Sequence, residues 1–375
     1  MELDASLYWL GLALTPGLGA RLTARVLERF STPENVFRAS LTELEACRLP
    51  APVAQSIHAQ RALSAAEKEL AELRKIGGQL LNWDEPAYSK LLRSIYDPPP
   101  LLYFRGDASM FNRHAIAIIG TRRPTPYGNQ VAERLGRDLA ERGLVISSGL
   151  ARGIDASAHR GACAAARGGV IGVLGTGLDI QYPKENRKLY AEVEKRGVIV
   201  SEFPLGTPPV PENFPIRNRV VAGLALGAVV VQGEQYSGSI ITARLGMEFG
   251  REIYAVPGNV TESVSFAPHQ LIRQGAKLVA GWEDVIEELP TPVRTELFPI
   301  EEAPAKERQL LIEQAMGEIE RKIYALLKAD QSAHVDELVE STGLNSSEVL
   351  AALCEMEMRG VVRQLPGKQF LRALV

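Results

Sequence analysis

The chain has 375 residues, of which 46% are apolar and 23% are charged, a length that predicts two or three domains. This composition excludes a disordered, collagen-like or coiled-coil protein for the bulk of the chain. The formal net charge of -3 permits a local basic groove without indicating one, and the three cysteines lie too far apart to suggest a disulfide framework or a zinc site.

Residues 1–80 are predicted to form a small helical domain. Apolar spacing indicates helices over Arg21–Phe30, Leu41–Cys47 and Pro52–Ile76, and we interpret the apolar stretch Leu7–Leu14 as a buried helix. The turn Thr15–Gly19 resembles a helix-hairpin-helix turn, whose amides bind a DNA phosphate, but we favour an ordinary interhelical turn because glycine is the usual turn residue. No apolar stretch reaches the roughly 20 residues of a membrane span, so we expect a cytoplasmic protein.

Residues 81–289 alternate apolar strands with amphipathic helices, as is typical of a doubly wound parallel α/β sheet. We predict strands at Leu101–Arg105, Ala115–Gly120, Leu144–Ser148, Val170–Gly175, Val198–Glu202, Ala228–Gln232, Ile253–Val256 and Lys277–Val279. We predict helices near Asn129–Arg142, Ile154–Ala166, Glu185–Arg196, Ile216–Leu226, Ile240–Gly250, His269–Gln274 and Trp282–Leu289. Glycines follow many of these strands, where the backbone turns tightly or approaches a ligand, so this edge of the sheet is predicted to bind one.

The C-terminal part of the chain is predicted to be a linker followed by a winged helix. Residues 290–308 mix proline with charge and lack apolar periodicity, which indicates a linker. Residues 309–375 contain helices over Leu311–Leu327, Val335–Thr342 and Ser346–Arg359 and then a hairpin over Val361–Arg372, the element order of a winged helix.

The charge of the third helix argues against duplex recognition by this domain. Glu348, Glu355 and Glu357 lie on it and would repel DNA phosphates. We therefore expect the domain to contact protein, or to touch DNA only through the hairpin cations Arg363, Lys368 and Arg372.

The turn Gly120–Gly128 lies where an open α/β sheet binds phosphate, after a strand and before a helix. It carries neither the GxGxxG signature nor the Gly-Lys-Ser/Thr of a P-loop. Thr121 and Arg122 directly follow Gly120 and offer a hydroxyl and a guanidinium to phosphate oxygens. A phosphate grip centred on Arg122 is our interpretation, and a structural salt bridge is the alternative.

The next two strand ends bring further small and polar residues to the same edge. Ser148 ends one predicted strand and Gly149 follows it, and Lys184 lies in the turn after the next strand. Asp155 and His159 are four residues apart on one helix face, so they could form half of a metal or acid/base site, but a structural Asp and a packed His are the simpler interpretation.

The segment Pro211–Arg219 indicates the class of ligand most directly. Phe214 offers a flat face for stacking a base, and Arg217 and Arg219 offer donors for phosphate. The alternative is that Phe214 caps the core and the arginines are solvated. The further candidate residues in this segment and at the start of a later helix are Asn213, Asn218, Gly238 and Ser239.

In these motifs the sequence resembles the DprA (Smf) family of DNA-processing proteins. The shared segments occur in one order over much of the central domain. They are Gly120–Arg122, Tyr127–Gly128, Ser148–Asp155, Ala158–His159, Gly175–Asp179, Tyr182–Pro183, Ser201–Glu202, Asn213–Arg219, Ser237–Ser239, Thr242–Ala243 and Tyr254–Gly258.

The resemblance implies an extended Rossmann-like domain over 81–289, between an N-terminal SAM-like or helix-hairpin-helix-like domain and a C-terminal winged helix. It implies a protein that binds and protects single-stranded DNA, forms a homodimer through the Rossmann-like domain, and loads RecA during natural transformation. It assigns the phosphate grip to Arg122, a second cation to Lys184 and base stacking to Phe214, with Arg217 and Arg219 in the same basic groove.

Two positions depart from the family pattern as the resemblance implies it. Thr121 stands where many members have serine, which keeps the hydroxyl, and Pro211 stands where some members have lysine, which removes a cation from the rim.

Two other functions compete with this interpretation. A phosphoribohydrolase-like nucleotide enzyme would need a Gly-Gly-x-Gly-Thr-x-x-Glu loop, and the nearest segment, Ser237–Thr242 with Glu248, has lost that spacing. A ligand-sensing winged-helix regulator would need a reading helix that tolerates DNA, which the acidic third helix does not provide. We therefore expect no catalysis, no cofactor and no metal. The expected partners are single-stranded DNA, RecA and other recombination or single-strand-binding proteins.

Overall fold

The computed structural model describes residues 5–298, 316–328, 331–359 and 361–373. The described residues up to Phe298 form one compact unit, and those from Met316 onward form a second. In the described part of the chain, no helix is both long and apolar enough to cross a membrane.

The chain begins with six helices. They are α1 (Ala5–Ala13), α2 (Ala20–Phe30), α3 (Pro33–Arg38), α4 (Leu41–Ala46), α5 (Ala51–His58) and α6 (Leu63–Lys75). The single long helix predicted over Pro52–Ile76 is wrong, because Gln60 takes a left-handed φ of 51° and separates α5 from α6. Helix α3 was not predicted, and it starts at Pro33 after a Thr32 side chain that accepts from the Asn35 amide, a typical N-terminal cap.

These helices share a hydrophobic core with the sheet that follows. Leu12, Val26, Phe37 and Ile57 pack among the helices, whereas Leu7, Leu10 and Leu73 belong to the same buried cluster as the sheet. Trp9 of α1 meets Trp83 edge to face, with ring centroids 6.0 Å apart. The helical residues and the sheet therefore form one unit rather than two separate ones.

Nine strands form the main sheet in the described part of the first unit. They are β1 (Gln79–Asn82), β2 (Leu101–Gly106), β3 (Ala115–Ile119), β4 (Val145–Ser148), β5 (Gly169–Leu174), β6 (Gly197–Ser201), β7 (Gly227–Val230), β8 (Glu252–Ala255) and β9 (Lys277–Leu278). Their spatial order is β1-β2-β6-β5-β4-β3-β7-β8-β9. Pairing is antiparallel at β1–β2 and β2–β6 and parallel across the rest. The seven predicted strands from Ala115 to Val279 are confirmed as parallel with ends shifted by one or two residues, the predicted strand Leu101–Arg105 is present as the antiparallel β2, and β1 is an addition.

Helices cover both faces of the sheet, as a doubly wound fold requires. They are α7 (Lys90–Arg93), α8 (Pro126–Glu141), α9 (Ile154–Ala164), α10 (Arg187–Arg196), α11 (Asn213–Gly223), α12 (Gly238–Glu248), α13 (Phe266–Arg273), α14 (Trp282–Glu287) and α15 (Thr291–Leu297). Helix α15 occupies residues predicted to be linker, and it forms because Pro290 and Pro292 suit a helix start while Val293 is buried in the core. Residues 299–308 of that linker lie outside the described residues.

The second unit has the winged-helix element order that the sequence predicts. It contains α16 (Glu318–Leu326), β10 (Ala333–His334), α17 (Val335–Thr342), α18 (Ser346–Met358), β11 (Val362–Leu365) and β12 (Gln369–Arg372), with the strands in the order β10-β12-β11. The predicted start of its first helix, 311–315, lies outside the described residues. Arg359 at the end of α18 forms ion pairs with Glu320 and Glu355. That α18 avoids DNA stays a prediction.

Candidate nucleic-acid interface

A groove of about 840 Å³ opens at the carboxyl edge of the parallel sheet. The chain leaves β3 towards β4 on one side and leaves β7 towards β8 on the other, so the loops after β3 and β7 diverge and create a crevice. The groove is lined by the loop after β3, the loop after β4, the first half of α11 and the start of α12. Its lining includes Gly120, Thr121, Arg122, Gly149, Phe214, Arg217, Asn218, Gly238 and Ser239 from the sequence prediction.

Close packing at Gly120 and hydrogen bonds from Gln232 hold the loop after β3 in one conformation. Gly120 has no room for a side chain, since a Cβ there would lie 2.6 Å from Ile154. The Thr121 amide donates to the backbone oxygen of Gln232 at 2.7 Å. The Gln232 side chain also accepts from the Thr125 amide and donates to the Thr125 hydroxyl, both at 2.9 Å. Gln232 thus fixes the loop that presents Arg122.

Arg122, Phe214 and Tyr182 form a row of flat groups, of which Arg122 and Phe214 line the groove and Tyr182 lines a small pocket beside it. The Arg122 guanidinium carbon lies 4.9 Å from the centroid of the Phe214 ring, and the Tyr182 ring centroid lies 5.8 Å from it on a plane tilted by 40°. Gly175 allows this position of Phe214, because a Cβ there would come within 2.9 Å of the ring. Both the guanidinium and the rings are surfaces on which a base can stack.

The floor of the groove is built from a buried charged pair. Arg217 is 4% exposed and donates to the Val173 carbonyl, and its guanidinium occupies the space beside Gly149 that a Cβ would need. Asp155 accepts from the Gly149 amide at 3.1 Å. Burial raises the pKa of Asp155 and lowers that of Arg217, while the charge of each opposes the shift of the other. The predicted phosphate donor Arg217 is therefore a supporting residue beneath the groove.

The structure places Arg219 away from the groove, unlike the sequence expectation. Its guanidinium pairs with Glu202 and lies 3.6 Å from the Asp97 carboxylate, and its side chain is 16% exposed. Burial raises the pKa of Glu202 to about 7, an effect that the Arg219 charge opposes. Position 219 faces away because it lies two residues after Arg217, on another side of α11.

Three further predicted residues do not line the groove. Ser148 is buried and donates to the Ile118 carbonyl at 2.6 Å. Asn213 donates to the Pro208 carbonyl at 3.2 Å and starts α11. Lys184 is exposed just after the cis Tyr182–Pro183 bond, beside the far end of the aromatic row. These residues shape or flank the groove rather than form its surface.

His159 has the structural environment that the simpler interpretation predicts. It is fully buried, its Nε2 lies 3.2 Å from the Ile171 carbonyl oxygen, and burial lowers its pKa to about 4. A neutral, enclosed imidazole of this kind cannot serve as an acid or base for a ligand in the groove.

Further residues line the groove, and the sequence analysis missed the aromatic ones, Tyr236 and Phe266. Arg123 follows Arg122, Tyr236 is 92% exposed in the loop after β7, and Phe266 is 41% exposed at the start of α13. Glu234 adds a carboxylate to the same wall. Tyr236 lies five residues after Val231, the last apolar residue of the segment around β7, so an aromatic residue soon after a strand end was a usable signal.

Residues 79–290 match the family model described as DNA recombination-mediator protein A, and residues 301–368 match the DprA winged helix domain. The chain belongs to the DprA family. It is 32% identical to the protein Smf of Synechocystis, over 97% of this chain and 98% of that protein.

Two solved structures of DprA proteins support the same assignment. The protein from Streptococcus pneumoniae matches with a TM-score of 0.67 and 32% identity, over 77% of this chain and 99% of that one. A structure concerned with the single-stranded DNA binding mode of the Helicobacter pylori protein matches with a TM-score of 0.51 and 32% identity, over 56% of this chain and 94% of that one.

Proposed function

We propose that this member of the DprA family binds single-stranded DNA in the groove at the carboxyl edge of its sheet. The observation that carries this proposal is the row formed by Arg122, Phe214 and Tyr182, which combines a cation for the backbone with flat faces for bases. The binding described for the related Helicobacter pylori protein points in the same direction.

The groove suits a single strand better than a duplex for a physical reason. Stacking on Phe214 requires an unpaired base, and paired bases inside a duplex cannot reach a ring that is recessed beside Arg122. The Arg122 guanidinium lies over the Phe214 ring, and the exposed Arg123 beside it in the chain adds a second cation to the groove. We expect weak base preference and strong salt dependence from this arrangement.

The finer role is proposed from the family resemblance. The chain protects incoming single strands and loads RecA onto them during transformation, acts in the cytoplasm as a homodimer through its Rossmann-like domain, and performs no chemical reaction on the DNA. RecA filament growth on DNA covered by single-strand-binding protein tests the loading step, since added chain should shorten the lag before filaments form.

Fluorescence anisotropy of a labelled dT oligomer tests the binding step. Arg122→Ala should weaken binding about tenfold and lower the salt slope by about 0.7, the value for one phosphate contact to a single strand. Arg134→Ala is the matched control, because Arg134 is exposed on α8 outside the groove. Equal binding by wild type and Arg122→Ala, or stronger binding of the duplex than of the single strand, would refute the proposed groove.

A further inference from the structure

Helix α2 carries three arginines on one exposed face. Arg21, Arg25 and Arg29 are spaced four residues apart and are all exposed, whereas Thr23 and Val26 on the opposite face are fully buried. A helix rises by about 6 Å over four residues, so the backbone positions of the three arginines are evenly spaced along the helix axis. This face of α2 is a regular row of cations outside the groove.

A fourth arginine joins the row from the turn after α4. Arg48, with a left-handed φ of 54°, lines an open groove of about 440 Å³ together with Arg25 and Arg29. The Arg25 Nη1 approaches the Arg48 carbonyl oxygen at 3.4 Å. Among the residues that the structure describes, none of these three guanidiniums forms an ion pair with a carboxylate. Apart from the Arg25 Nη1 that donates to the Arg48 carbonyl, their donors are available for an anion, and Glu28 is the one acidic residue lining this groove.

An exposed aromatic ring lies beside Arg21, at the N-terminal end of this row of arginines. Tyr96 is 72% exposed, and the Arg21 guanidinium carbon lies 3.8 Å from its ring centroid. The Arg21 guanidinium over this ring holds the tyrosine side chain in place. A ring and cations side by side are the two elements of a sequence-independent single-strand site.

Tyr96 lies next in the chain to a residue that contacts α11 on the side facing away from the groove. The next residue, Asp97, approaches Arg219 of α11 with 3.6 Å between the carboxylate and Nε. Asn218, the residue before Arg219, lines the groove. The ring is therefore separated from the groove by one wall, α11, and both belong to the same compact unit.

We propose that a single strand leaving the groove continues over Tyr96 and along α2 to Arg48. We call the residues Arg21, Arg25, Arg29, Arg48 and Tyr96 the extension surface. It adds a second contact region for the sugar-phosphate backbone and one stacked base, and it lengthens the stretch of DNA that one protomer covers. This inference rests on the proposed function for the strand in the groove, and it assigns a nucleic-acid role to the N-terminal helices.

Oligomer length separates the extension surface from the groove. The full chain is titrated by anisotropy with a dT oligomer of about 6 nucleotides, which fills the groove only, and with one of about 20 nucleotides. Arg25→Ala/Arg29→Ala should weaken binding of the long oligomer about tenfold and lower its salt slope by about 1.4, for two lost phosphate contacts, while binding of the short oligomer is unchanged. Arg38→Ala/Arg61→Ala, which removes an exposed arginine at the end of α3 and another in the turn between α5 and α6, both outside this surface, is the control.

A second pair of variants tests the stacking contact. Tyr96→Leu should weaken binding of the long oligomer about fivefold, and Tyr96→Phe should bind as wild type, because stacking needs the ring and not the hydroxyl. Thermal melting checks that all variants fold.

The outcomes distinguish this inference from the proposed function. If the short oligomer binds and Arg25→Ala/Arg29→Ala leaves the long one unaffected, the extension surface is refuted and its arginines face another partner, such as an acidic protein. If the short oligomer does not bind wild type at all, the proposed groove itself fails. Equal weakening for both lengths would also overturn the inference, since it would indicate a general charge effect.

Discussion

Replacing Gln232 by methionine tests whether the loop that carries Arg122 must be held rigidly. Gln232 is 4% exposed and touches the groove only through the loop that it supports. Methionine has a similar length but removes the two hydrogen bonds to Thr125, one to its amide and one to its hydroxyl. The bond from the Thr121 amide to the backbone oxygen of residue 232 is retained.

The expected magnitude follows from those two bonds. Each contributes about 1 kcal/mol net, so Gln232→Met should lower the free energy that holds the loop in place by about 2 kcal/mol. If DNA binding requires the ordered loop, that loss weakens binding of a dT oligomer by up to about 30-fold, since 1.4 kcal/mol corresponds to tenfold. Arg122 itself is unchanged, so any loss of affinity comes from its positioning.

Urea denaturation and anisotropy titration measure the two effects on the same preparation. Gln130→Met, at an exposed glutamine on α8, is the matched control and should change neither. A Gln232→Met variant that binds like wild type would refute the argument that loop order matters. A variant that is less stable but keeps its affinity would show that DNA itself orders the loop at little cost.

Two more substitutions test buried charges. Arg219→Ala should lower the free energy of unfolding by about 3 kcal/mol, because it leaves the Glu202 carboxylate buried without its partner. The affinity of the folded variant for a dT oligomer should stay within about twofold of wild type. Lost affinity without lost stability would instead indicate that Arg219 contacts DNA in the groove. His159 has a folded pKa of about 4, below its usual 6.5, so the unfolded chain binds the extra proton and stability should fall by about 3 kcal/mol as the pH drops from 6.5 to 4. In denaturation experiments at a series of pH values, His159→Gln should remove this loss of stability at low pH, whereas the control His114→Gln should retain it. A His159→Gln variant whose stability depends on pH in the same way as that of wild type would contradict the buried, neutral environment assigned to His159.

The sequence predicts the sheet well because apolar runs followed by glycine are local signals. β3 and its loop are examples, since the apolar run, Gly120 and the following cations are contiguous in the chain. The same locality explains why Arg122 and Phe214 were placed correctly in the groove lining. Helix α15 was missed because its one buried apolar residue, Val293, gives no periodicity in a short proline-containing segment.

The different positions of the Arg217 and Arg219 side chains could not be predicted from the residues around them in the sequence. Both are arginines in one short motif, and only the packing of α11 against β5 and against Glu202 shows that one lies under the groove and the other behind it. Tyr182 was quoted for its motif but not for stacking, because its ring meets Phe214 only after two separate loops come together. Contacts between distant segments are the part of a site that a single sequence does not display.

Photocrosslinking of a dT oligomer to the full chain, followed by identification of the crosslinked peptides, tests the central claim most directly. The groove predicts crosslinks in peptides containing Phe214, Tyr182 or Tyr236, and it predicts that Arg122→Ala reduces them. Crosslinks confined to the winged-helix unit, or crosslinks that Arg122→Ala leaves unchanged, would contradict it.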